Sequence, residues 1–115
     1  MATISEDYVS FEVAKLLKDK GFNEPTIGTY NIESKNPILV ERPIRAIHCE
    51  AIISAPTLQM AMKWLREVHD IKIMIRPYVD GTYSYEILNG FWYVNFDSYE
   101  DAAEAAIKYC LENLI

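Results

Sequence analysis

The stretch from Tyr78 to Phe96 reads YVDGTYSYEILNGFWYVNF. Aromatic rings crowd it, and two dipeptides, Asp80-Gly81 and Asn89-Gly90, divide it. Both are hairpin signals, because Asn, Asp and Gly tolerate the positive φ angles that tight turns between strands demand. Upstream, Ile71, Ile73 and Ile75 alternate with Lys72, Met74 and Arg76, the pattern of a half-buried strand. Residues 71–96 are therefore predicted to form a three-stranded antiparallel meander.

Register decides which rings share a face. A two-residue loop at Asp80-Gly81 would set Ile75 opposite Glu86 and bring that carboxylate onto the isoleucine face. A three-residue loop, Val79-Asp80-Gly81, with Gly81 in a left-handed bulge position, sets Ile73 opposite Ile87, Ile75 opposite Tyr85 and Pro77 opposite Tyr83. The second register is expected, because the first buries a charge. A two-residue loop at Asn89-Gly90 is then expected to pair Leu88 with Phe91 and Ile87 with Trp92. This predicts an inner face of Ile71, Ile73, Ile75, Tyr83, Tyr85, Ile87, Trp92, Val94 and Phe96.

The opposite, outer face then gathers Lys72, Met74, Arg76, Tyr78, Ser84, Glu86, Leu88, Phe91, Tyr93 and Asn95. Interfaces favour aromatic residues, Met and Arg, so Met74, Arg76, Tyr78, Leu88, Phe91 and Tyr93 are the candidate interaction surface. Two other readings compete. The first helix or residues 31–46 could cover this face within the chain. Tyr78, Phe91 and Tyr93 could stack on single-stranded nucleic acid, with only Lys72 and Arg76 to hold phosphates.

Outside the meander, Ser10 is expected to cap a helix reaching about Lys20, with Gly21 as its stop and Phe22 folding back onto it. Residues 26–31 read as a strand. Residues 38–41 read as an edge strand bracketed by Pro37 and Pro43. Residues 44–54 read as a further strand, with Ile47, Cys49, Ala51 and Ile53 on one side. Ala55-Pro56-Thr57 opens a second helix whose inner stripe is Leu58, Ala61, Met62, Leu65 and Val68, widened by Met60 and Trp64. The last helix starts at Asp97 or Ser98, where Asp97 and Glu100 have capping-box spacing.

The 115 residues suit one domain spanning 1–115, and half of them are apolar, a globular composition. The net charge of −6 argues against general nucleic-acid affinity. It is unevenly placed, since residues 81–115 carry Glu86, Asp97, Glu100, Asp101, Glu104 and Glu112 against Lys108 alone. No apolar run reaches membrane-spanning length, and Glu6, Asp7, Glu12 and Lys15 interrupt any leader-like segment. Two distant cysteines, Cys49 and Cys110, fit a reducing cytoplasm.

Chemical motifs are sparse. His48 and Cys49 are neighbours in an expected strand, so their side chains point to opposite faces. Cys110 falls on an apolar helical stripe, and His69 ends a helix, where a cation complements the dipole. The scattered glycines build no phosphate loop. The sequence gives no catalytic, metal or cofactor-binding residues.

The segments Val9–Leu17 through Gly21-Phe22 and Ala55–Gln59 through Trp64–His69, with the aromatic strand and Ser98-Tyr99-Glu100, resemble small uncharacterised prophage and mobile-element proteins of Bacteroides-type gut bacteria. The resemblance implies an accessory role in a bacterial cytoplasm and carries no functional residues. The expected fold is α+β, a mainly antiparallel sheet of the C-terminal meander plus two or three N-terminal strands, with the second and third helices on one face. The expected function is a non-enzymatic, self-associating protein-interaction module. The alternatives are an acidic mimic that engages a nucleic-acid-processing protein through Asp97, Glu100, Asp101 and Glu104, and a small enzyme or ligand-binding domain.

Overall fold

The structure, a computed structural model, describes residues 7–46, 50–88 and 90–115. The order is α1 (Phe11–Asp19), β1 (Thr26–Asn31), β2 (Pro37–Ile44), β3 (Ile52–Ser54), α2 (Leu58–His69), β4 (Ile73–Pro77), β5 (Tyr83–Ile87), β6 (Phe91–Phe96) and α3 (Tyr99–Asn113). This is an α+β fold. Its strands form two antiparallel sheets, ordered β2-β1-β3 and β4-β5-β6.

Local chemistry sets the helix ends. Ser10 caps α1 by accepting the Val13 N–H at 3.2 Å. Gly21 follows with φ +92, and the Phe22 N–H returns to the Leu17 carbonyl at 2.9 Å. Phe22 is thereby buried, with its ring edge-on to Trp64 at 5.5 Å. Thr57 caps α2 through the Met60 N–H. Ser98, not Asp97, caps α3, accepting the Asp101 N–H at 3.0 Å. The expected cap at Asp97 is thus displaced by one residue, because the hydroxyl at 98 takes an amide of the first turn.

In the first sheet, β2 lies at an edge and runs through Pro43 rather than stopping before it. A proline costs no ladder hydrogen bond when its nitrogen faces away from the only neighbour. The strand expected over 44–54 is therefore divided, with Ile44 ending β2 and only Ile52–Ser54 forming β3. Ile47 and Cys49, expected on one side of it with Ala51 and Ile53, and His48 lie outside the described residues.

The helices join the sheets. α3 lies on β4, β5 and β6, and it also touches α1 and α2. α2 packs on α3 rather than covering the meander directly, which corrects the expectation of two helices on that sheet. One core of buried side chains runs through Val13, Leu17, Ile53, Leu65, Ile87, Ile107 and Leu111, with contributions from every helix and both sheets. Ile71, Ile73, Ile75 and Phe96 pack against it, as the alternation demands.

Candidate functional site

The first hairpin adopts the expected register. Ile73 stands opposite Ile87, Ile75 opposite Tyr85 and Pro77 opposite Tyr83. Gly81, at φ +90, donates its N–H to the Tyr78 carbonyl at 3.1 Å and closes a three-residue loop. The second hairpin repeats this design. Gly90, at φ +105, donates to the Ile87 carbonyl at 3.0 Å, and Ile87 faces Phe91. Asn89 lies outside the described residues.

The expected two-residue loop at Asn89-Gly90 is therefore wrong by one residue, and one residue exchanges the faces. Phe91 stands at the inner position opposite Ile87, and Tyr93 opposite Tyr85. Tyr93 packs on Tyr85 at 5.2 Å and on Tyr109 of α3 at 5.7 Å. Tyr93 thus leaves the predicted outer surface. Trp92, predicted to be inner, stands opposite Glu86 on the outer face and is 62% exposed. Val94 is exposed as well. The phase recovers at Phe96, opposite Tyr83, because a bulge between these pairs absorbs one residue. Asn95 holds φ +72 there, a left-handed conformation that Asn tolerates better than most residues.

The outer face is open. Met74, Glu86 and Trp92 form a row across the three strands. Met74, Tyr78 and Leu88 are exposed, so four of the six predicted surface residues, with Arg76, stand where expected. Neither α1 nor β2 covers them, since α1 packs on α3 and β3 and β2 belongs to the other sheet. Arg76, Tyr78, Ser84, Glu86 and Trp92 line a shallow depression of about 260 Å³. Ser84 is its buried floor. Arg76 Nη2 lies 3.2 Å from Glu86 Oε2, so the one cation and the one anion of this depression neutralise each other.

Burial pushes the Cys110 thiol up to about 12, which keeps it protonated and unreactive at neutral pH. Tyr85 is also raised, first by burial and then by Tyr93, Cys110 and Tyr109. His69 packs its ring against Trp64 at 4.7 Å. Among the described residues, no cluster of three or more His, Cys, Asp or Glu could hold a metal ion. No helix among them is long and apolar enough to cross a membrane.

The acidic face of α3 is smaller than its sequence suggests. Asp97, Glu100 and Asp101 are exposed, but Glu104 accepts the Ser10 N–H at 2.9 Å. In a capping box, the third helical residue supplies that acceptor. In α1 this position is Val13, and Glu104 of α3 supplies the carboxylate instead. Burial raises the Glu104 pKa, and the Ser10 amide partly offsets the shift. Glu12 and Lys108 add an ion pair at 3.0 Å between the same two helices. Sequence reasoning missed this clasp because its partners are remote in the chain.

No family model, curated protein or solved structure matches this chain.

Proposed function

We propose that the chain is a non-enzymatic interaction module that associates with a second copy of itself through the uncovered β4–β5–β6 meander, at and around Trp92. The observation that carries this reading is Trp92, a large apolar side chain largely exposed near Tyr78, in one row with Glu86 and Met74, on a face that no other element among the described residues covers. Charge does not oppose a second copy here. A chain of net charge −6 repels its copies generally, but the Arg76–Glu86 pair leaves this surface locally neutral. An accessory role in a prophage or mobile element belongs to the same proposal and rests on the resemblance of the helix starts and aromatic strand.

Solution mass by light scattering after size exclusion, at low and high salt, tests the reading. The expected result is a concentration-dependent dimer that persists at high salt, since apolar association is not screened. Trp92→Lys is expected to return it to monomer with an unchanged circular dichroism spectrum. A wild-type monomer at every concentration, or an assembly indifferent to Trp92→Lys, overturns it. Binding of a basic partner that fades at moderate salt would instead favour the charge-driven alternative through Asp97, Glu100 and Asp101.

A further inference from the structure

The two sheets present four edges, and three are defended. β2 carries Pro37, Glu41, Arg42 and Pro43. β3 has only three residues. β4 carries Arg76 and Pro77. Charges, prolines and short length are the usual means by which an edge strand is kept from pairing with another chain. β6 has none of these, and only the bulge at Asn95, in its second half, turns it from a straight edge. Its sequence, FWYVNF, is uncharged, aromatic and β-branched, and among the described residues it pairs only with β5.

We propose that the second copy joins through this edge, β6 running antiparallel to β6 of its partner across a two-fold axis, so that two three-stranded meanders become one continuous sheet. The inference rests on the self-association reading and specifies its geometry.

The ladder shows which backbone groups are free. In an antiparallel pair, alternate residues turn both N–H and C=O toward the same neighbour. Gly90 bonds the Ile87 carbonyl, and Phe91 and Tyr93 stand opposite Ile87 and Tyr85, so these two face β5. Trp92, between them, turns its N–H and C=O toward the open side. Water meets that pair in the free chain, an extended backbone can take both groups in register, and an identical strand supplies one with no charge to exclude it. Electrostatics selects the direction. Asp97, Glu100 and Asp101 follow β6 immediately, so a parallel pairing would set two acidic ends side by side. Antiparallel pairing sets each acidic end beside the Gly90 turn of the other copy. The bulge at Asn95 bends the strand and limits the contact to its first residues. The resulting dimer is therefore weak and concentration-dependent.

Amide hydrogen exchange at Trp92 tests the geometry, read beside light scattering on the wild type and on Met74→Lys. Met74 lies on the far edge strand of the same face, away from β6. In the expected outcome, Met74→Lys still dimerises. Trp92 exchange slows about tenfold between dilute protein and a concentration at which about nine-tenths of the chains are paired, because only the unpaired fraction exchanges. A dimer whose Trp92 amide exchanges at the dilute rate, and which Met74→Lys dissociates, overturns edge pairing in favour of stacked faces and leaves self-association standing. A monomer throughout overturns both.

Discussion

At the scale of single residues, Gly28 shows how little room separates α2's entry from the first sheet. A methyl group there would overlap the carbonyl oxygen of Ala55 and stand 2.6 Å and 2.7 Å from two ring carbons of Tyr8. The ring can turn, but the carbonyl cannot, because the Ala55 N–H is bonded to the Gly28 carbonyl at 2.8 Å. Gly28→Ala is therefore expected to destabilise the fold by about 1–3 kcal/mol, the usual cost of overpacking a dense site. Urea denaturation measures it. The double variant with Tyr8→Ala should recover little, since the backbone clash remains; full recovery would place the strain at the ring. Gly28 is not marked in the sequence as a turn glycine, and its role lies in a close approach between segments that only the folded chain brings together.

At the scale of elements, Ser98 and Asp97 offer a direct comparison. The Ser98 hydroxyl receives the Asp101 amide, whereas Asp97 precedes the cap and is exposed. Ser98→Ala is expected to cost about 1 kcal/mol and Asp97→Ala less than half of that, both read from thermal or urea midpoints. Equal losses would return the cap to Asp97. The two hairpins explain how far such elements can be read beforehand. The first register was legible because a one-residue slip would have buried Glu86. The second contains no charge from Phe91 to Phe96, so both registers place rings on both faces and nothing in the residues breaks the tie. Met74, Arg76, Tyr78 and Leu88 depend on the first hairpin and stand as predicted. Trp92 and Tyr93 depend on the second and were interchanged. The missing charge that hid the register also leaves the first residues of the β6 edge, before the Asn95 bulge, without a charge to oppose pairing.

At the scale of the whole molecule, the two tryptophans divide folding from assembly. Trp64 is 6% exposed, held between Phe22 and His69 in the shared core, while Trp92 is 62% exposed on the open sheet. Loss of the core must move Trp64 into water, but a second copy arriving at the meander reaches only Trp92. Iodide quenching of fluorescence is expected to resolve one protected and one accessible indole in dilute protein. Trp92→Phe should remove the accessible component and leave the protected one in place. As concentration rises, wild-type quenching should fall toward that of Trp92→Phe while the Trp64 component stays constant. Constant quenching across a range in which light scattering records a dimer would move the contact away from the meander. The next surface to test would then be β2, where Ile38 and Leu39 are also exposed but Pro37, Pro43, Glu41 and Arg42 oppose strand pairing.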